Sequence, residues 1–246
     1  MQYFCLCSGS KGNCFVLKDE GVQIIVDCGS TRRYLKEAFQ KVNVDYMASS
    51  ALLITHEHSD HISQIRMFAE LDIYSPIALE KVKCIRIQAN QTFMIGHLQI
   101  TPLALSHDTP VCVGYVIRNA QEKLVYITDT GYLKSAYYKE IADADYYIME
   151  SNHDVQMLMN TSRPYLLKQR ILSDSGHLSN ESCAEILKRV IGEHTREIVL
   201  APLSEEANTP ALALKAAREA IPDEGISIRC AMQKEVLSGG VKCEEQ

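Results

Sequence analysis

No stretch of the 246-residue chain approaches the ~18 consecutive apolar residues that mark a transmembrane helix, so the sequence offers no membrane span. The opening Met1-Gln2-Tyr3-Phe4-Cys5 lacks a basic stretch followed by a long apolar one. No secretory signal is read there, and the protein is expected in the cytoplasm. Nine cysteines include no Cys-X-X-Cys pair, which leaves a structural zinc knuckle without support. Their odd number, and the apolar runs around Cys5, Cys7, Cys28 and Cys112, argue for reduced, buried small hydrophobes rather than disulfides. Excess positive charge is missing too: a net charge of −6 argues against a broad electrostatic nucleic-acid surface. No linker divides the chain, so one domain over 1–246 is expected, with a polar tail over 238–246. What remains, 46% hydrophobic and 23% charged residues, is the composition of a soluble globular protein.

What the chain does have is Ile54-Thr55-His56-Glu57-His58-Ser59-Asp60-His61, placed directly after the apolar Ala51-Leu52-Leu53. That apolar run reads as a buried strand, so the polar run sits at a strand tip. Residues i and i+2 of an extended segment point to the same side, which lets His56 and His58 meet one cation. Asp60 and His61 fall in the turn toward a helix, where they can serve a second ion about 3.5–4 Å from the first. A loop that is rich in histidine for no reason fits this spacing poorly.

The pattern His-X-His-X-Asp-His resembles the signature of the metallo-β-lactamase superfamily. Ser8-Gly9-Ser10-Lys11-Gly12-Asn13, Glu150-Ser151-Asn152-His153-Asp154 and Ser175-Gly176-His177-Leu178-Ser179-Asn180 narrow the resemblance to its YycJ/WalJ-like branch, related to ribonuclease Z. The resemblance implies a four-layer αββα sandwich, two mixed β-sheets flanked by helices, with ligands at strand ends along one edge. It implies His56, His58 and His107 on one ion, Asp60 and His61 on a second, and Asp129 bridging both. Asp60, His177 and Glu150 are then the candidate catalytic residues, His177 as the acid that protonates the leaving oxygen and Glu150 as the group that holds its ring. Asp27, His153 and Ser204 are candidates for orienting a ligand or touching substrate. The implied cofactors are two divalent ions, Zn2+ or Mn2+, with Fe or Ni also compatible with the mixed nitrogen and oxygen donors. Two such ions add about four positive charges, so the acidic chain remains compatible with a phosphodiester substrate.

In chain order, strands are expected over 3–7, 14–18, 23–26, 51–54, 73–75, 98–105, 113–117, 124–127, 145–150, 198–201 and 226–232. Helices are expected over 31–42, along the period Ile62, Ile65, Met67-Phe68, Leu71, over 79–87, from Ser179 or Asn180 through Ile191, and from Thr209-Pro210 to Ala220. The glycine-containing turn over 8–13 has two readings, a plain turn or an anion-binding set of amides, the first favoured. His97 in its hairpin turn reads as an ordinary surface histidine. Asp27 is either a turn acceptor or, as the resemblance favours, an orienting carboxylate. Asp129 could cap a helix, but the resemblance makes it the bridge.

One position departs from the pattern. After Ile198-Val199-Leu200-Ala201 the resemblance calls for a histidine on the second ion, and this chain has Pro202. The second site should then be weaker, richer in oxygen donors and more open to water. The expected activity is metal-dependent hydrolysis of a phosphodiester, as in a DNA exonuclease, with nucleic acid as substrate and no membrane partner. Two alternatives stay open: a hydrolase of a small ester, lactone or cyclic phosphodiester, because the scaffold hosts many chemistries, and a metal-binding protein with little catalysis because of Pro202.

Overall fold

The computed structural model describes residues 1–240, and its chain contacts divide into two compact units, Met1–Pro102 with the segment from Ala231, and Leu103–Cys230. In the first unit, β1 (Gln2–Cys7), β2 (Cys14–Asp19) and β3 (Val22–Val26) form an antiparallel meander. From β3 the direction changes, and β4 (Ala51–Leu53), β5 (Ile73–Ser75) and β6 (Ile85–Arg86) continue in parallel. Parallel strands are covered on both faces, and the residues of β4 are accordingly all buried. Each of Leu52 and Leu53 taken out of water stabilises the fold by roughly 1.5–3 kcal/mol. Helix α1 (Arg32–Lys41) starts where Thr31 accepts from the Tyr34 amide, and it buries Leu35, Ala38 and Phe39.

A two-residue hairpin at Gly96-His97 joins β7 (Phe93–Ile95) to β8 (Leu98–Leu105), along which the chain enters the second unit. There β9 (Cys112–Arg118) and β10 (Lys123–Ile127) are antiparallel, and β11 (Tyr146–Met149), β12 (Glu197–Leu200) and β13 (Ser227–Cys230) follow in parallel. The chain's last described strand, β14 (Leu237–Gly240), pairs with β1. The two seven-stranded sheets thus share one plan, antiparallel first and parallel after. Register aligns Ile127 with Met149 and Met149 with Leu200, so the positions just past β10, β11 and β12 form one row. Asp129, Ser151 and Pro202 each stand two residues beyond that row's last aligned pair.

The second unit carries the short helices α3 (Tyr138–Ile141), α4 (Val155–Asn160) and α5 (Tyr165–Ile171). Two longer ones follow, α6 (Asn180–Val190), capped by the Ser179 side chain on the Ser182 amide, and α7 (Pro210–Ala220), capped by Thr209. Both begin where their caps were expected. Among the described residues no helix is long and apolar enough to cross a membrane. No disulfide joins the described cysteines, and Cys5, Cys7, Cys28 and Cys112 are buried.

Three expectations need correction. Residues 79–87 form no helix: the alternation Val82, Cys84 beside Lys83 has a period of two, and β6 adds the segment to β5 as an edge strand. The helical period after His61 breaks into α2 (Ser59–Ile62) and a 3-10 turn over Ile65–Phe68. The break lies where the Ser63 and Gln64 side chains donate to the Ser30 carbonyl, at 2.9 and 3.0 Å. Residues 238–240 are paired strand, not tail, and the rest of the expected tail, 241–246, lies outside the described residues. His97 stands exposed in its hairpin turn, as expected, with Nε2 2.8 Å from Oδ2 of Asp19.

Candidate metal centre

In the first unit the segment 54–61 leaves β4 and turns into α2, whose first turn donates the His61 amide to the His58 carbonyl at 2.9 Å. The rings of His56 and His58 pack edge to face with centroids 4.6 Å apart, and the His56 and His61 rings are 4.1 Å apart. The His56 ring thus lies beside those of both His58 and His61 within one loop.

Behind them stands Asp27, fully buried, at the end of β3. Its φ of 58° is left-handed, a conformation that aspartate tolerates better than most residues. Asp27 Oδ1 accepts from the Thr55 amide at 2.9 Å, and its Oδ2 accepts from the Thr55 hydroxyl at 2.8 Å and from His61 Nδ1 at 2.7 Å. Both Asp27 oxygens act as acceptors here, so His61 presents its Nδ1–H to Oδ2. Thr55 gives its single hydrogen to Asp27, so at 3.0 Å its oxygen accepts from His56 Nδ1, and His56 carries its lone pair on Nε2. Thr55 was not singled out by the sequence; its hydroxyl sets one tautomer and steadies another.

The turn over 8–13 closes this unit. Asn13 donates its amide to the Asp60 carbonyl at 2.8 Å, and the Cys28 amide reaches the His61 carbonyl at 2.7 Å. The amides of Gly9, Lys11, Gly12 and Asn13 all have protein acceptors, which rules out the anion-binding reading of this turn for those four groups. A Cβ on Gly29 would stand 1.6 Å from the Asp60 carbonyl oxygen and 2.8 Å from the Asn13 amide nitrogen. Gly29→Ala must therefore push apart backbone that has no flexible end to yield. Overpacking costs about 1–3 kcal/mol, and this contact belongs at or above the upper end. For a chain of this size that is a fall of roughly 6–12 °C in Tm, accompanied by lost metal, measurable by calorimetry and emission spectrometry.

In the second unit, His107 follows β8 and directs Nδ1 at the Gly176 carbonyl, 3.2 Å away. A carbonyl accepts only, so Nδ1 meets it as the donor, while Nε2 stands 3.2 Å from Asp108 Oδ1. Asp129 follows β10 at φ 51° and is 5% exposed. Glu150, wholly buried at the end of β11, accepts from His177 Nδ1 at 2.6 Å through Oε1, and from the Thr130 and Leu178 amides at 2.9 and 3.1 Å through Oε2. Burial pushes the Glu150 carboxyl above its ordinary pKa, and His177 together with the Thr130 amide pulls it back. His107, Asp129 and His177 each offer a ligand atom within 4.8 Å of the others. The donor types in each unit fit divalent cations: His56 and His61 in the first, and His107 and His177 in the second, have an acceptor behind the ring, with the carboxylates of Asp60 and Asp129 in the same respective units.

His153 is only 1% exposed, and neither ring nitrogen meets a hydrogen-bond partner among the described residues. Burial, with His177 nearby, lowers its pKa to about 4, so it is neutral near pH 7. Ser204 is half-buried and accepts from the Ala207 amide at 3.2 Å. Pro202, buried just past β12, supplies no ligand atom.

Residues 23–198 match the model of the β-lactamase superfamily domain. The chain is 36% identical over 228 residues to the exodeoxyribonuclease WalJ of Streptococcus pneumoniae serotype 2, strain D39, covering 86% of this chain and 85% of that one. It is 31% identical over 243 residues to the exodeoxyribonuclease YycJ of Bacillus anthracis, covering 93% and 92%. Among solved structures it resembles the metallo-β-lactamase fold protein YhfI from Bacillus subtilis, with a TM-score of 0.74 at 20% identity over 96% of this chain and 99% of that one. It also resembles the short form of human tRNase Z, with a TM-score of 0.65 at 16% identity over 96% and 98%. The two mixed sheets with flanking helices match the metallo-β-lactamase sandwich fold, as the sequence led us to expect, and the chain belongs to the β-lactamase superfamily, within the family of the WalJ and YycJ proteins.

Proposed function

We propose that the protein is a metal-dependent phosphodiesterase that degrades DNA from its ends. The observation that carries this reading is the Glu150–His177 pair, 2.6 Å apart, with His177 Nδ1 3.7 Å from the carboxylate of Asp129. The names of two relatives, both exodeoxyribonucleases, support the substrate class. The proposal assigns His56, His58 and His107 to one ion, Asp60 and His61 to a second, and Asp129 to both. Divalent cations held there supply a water that ionises near neutral pH and positive charge for the phosphoryl oxygens.

This chain's own residues do the rest. Asp27 and Thr55 fix the tautomers of His61 and His56, so neither ring has to reorganise before it ligates. Glu150 keeps the proton on His177 Nδ1, and its negative charge favours protonation at the opposite nitrogen. His177 Nε2–H is then the donor for the leaving oxygen, a role that contributes about 10²–10⁴-fold in rate. His153, neutral and buried, is a poor phosphate contact; its place is beneath the His177 loop, where the Asn180 amide donates to its carbonyl.

The test is degradation of end-labelled duplex and single-stranded DNA with Mn2+ or Zn2+, against protein stripped by chelator. Stepwise shortening from an end, lost on stripping and restored by metal, is expected. Turnover of bis(p-nitrophenyl) phosphate with intact DNA would move the assignment to a small-molecule hydrolase. Tight binding of one ion with neither activity would favour the binding role that Pro202 raises.

A further inference from the structure

We propose that Asn13 sets the affinity of the second ion by competing with it for the Nε2 lone pair of His61. The inference rests on the two-ion reading above. Asn13 is 2% exposed, and its side-chain amide is held at both ends by a single residue. Its Oδ1 accepts from the Gly9 amide at 2.9 Å, and its Nδ2 donates to the Gly9 carbonyl at 3.1 Å. This clamp fixes which end is oxygen and leaves the second N–H of Nδ2 aimed away from Gly9. That N–H meets His61 Nε2 at 3.0 Å, with Asp60 Oδ2 at 3.4 Å.

Chemistry makes the contact exclusive. His61 Nδ1 is committed to Asp27 at 2.7 Å, an acceptor that obliges the ring to keep its proton there. Nε2 faces an Asn13 Nδ2 that can only donate, with Asp60 Oδ2 farther off at 3.5 Å, so Nε2 meets Asn13 as the ring's lone-pair nitrogen, and that pair can accept the Asn13 N–H or ligate a cation, not both. Asn13 cannot simply rotate out of the way. Its loop is tied at the Lys11 amide to Gln233 Oε1 at 2.7 Å, at the Gly12 carbonyl to Gln233 Nε2 at 3.0 Å, and at its own amide to Asp60 at 2.8 Å. A cation arriving at His61 must break one hydrogen bond within a braced loop. The net worth of such a bond corresponds to about 2- to 10-fold in affinity. The same loop that shapes the site thus weakens one of its ligands, and the second ion is held more loosely than Asp60, His61 and Asp129 would hold it without that competition.

The test is titration of the full-length, chelator-stripped protein with Mn2+ by calorimetry, with emission spectrometry after dialysis. Asn13→Ala is expected to tighten the weaker binding event about 2- to 10-fold and to leave the stronger one unchanged. Asn13→Asp keeps the acceptor for the Gly9 amide and sets a carboxylate oxygen beside His61 Nε2. It should tighten the weaker event at least as much and raise the metal retained on dialysis, and it remains informative if the alanine variant does not fold. Folded variants of both kinds with an unchanged or weakened second event would overturn the proposal. His61→Ala separates the two levels of argument. Loss of the weaker event there, with no response at Asn13, removes only the competition; a weaker event that survives His61→Ala removes the second-ion assignment itself.

Discussion

Asp129→Ala should leave the protein without measurable nuclease activity, at least a ~10³-fold loss in kcat/KM, equivalent to about 4 kcal/mol of transition-state stabilisation. Even partners behind a ligand typically cost 10–100-fold in metal affinity or activity, and Asp129 is assigned to both ions directly. Alanine alone would confuse two effects, because residue 129 has a left-handed φ of 51° that alanine adopts poorly. Asparagine tolerates that conformation and removes only the charge. Asp129→Asn is therefore expected to melt close to the parent protein yet to lose metal on dialysis and activity with it. Calorimetry, metal analysis and the end-labelled DNA assay read these three quantities. Full metal content and turnover in the asparagine variant would show that Asp129 is the helix-capping or turn residue that its sequence context also permits.

The second large effect is expected at His177. His177→Ala should lower kcat by about 10²–10⁴-fold while bound metal stays unchanged, the pattern of a lost proton donor. Glu150→Gln is expected to fall in the same direction by a smaller factor. Its single oxygen cannot accept from His177 Nδ1 and from the Thr130 and Leu178 amides as the carboxylate does. The alternative outcome is equally specific. His177 offers a ligand atom within 4.8 Å of those of His107 and Asp129, so loss of a metal equivalent from His177→Ala would make it a ligand instead. Single-turnover rates and metal stoichiometry, taken on the same preparation, decide between the two.

Most of the elements could be read from short-range signals. Ala51-Leu52-Leu53 announced a buried strand, Thr31, Ser179 and Thr209 announced helix starts, and the structure places β4, α1, α6 and α7 there. Such signals work because periodicity and capping are settled within a few residues. They failed at 79–87, where a short alternating run was taken for a helical one, and at 238–240, where a polar end hides a strand that pairs with residues at the other end of the chain. The candidate ligand types were legible in the same way, as His56, His58, Asp60 and His61 lie within six positions of one another.

By itself, then, the sequence determined which side chains were available for chemistry and which strand tips would carry them. Only the tertiary structure decided how each is used. Asp27 reaches His61 across 34 positions, Glu150 reaches His177 across 27, and the Gly176 carbonyl reaches His107 across 69. Those acceptors fix the protons on three imidazoles, Asn13 occupies one of the resulting lone pairs, and burial keeps His153 neutral. None of this has a local signature. The protonated nitrogen of a ring depends on which acceptor the folded backbone brings beside it, and that neighbour is chosen by sheet register and loop packing rather than by adjacency in the chain.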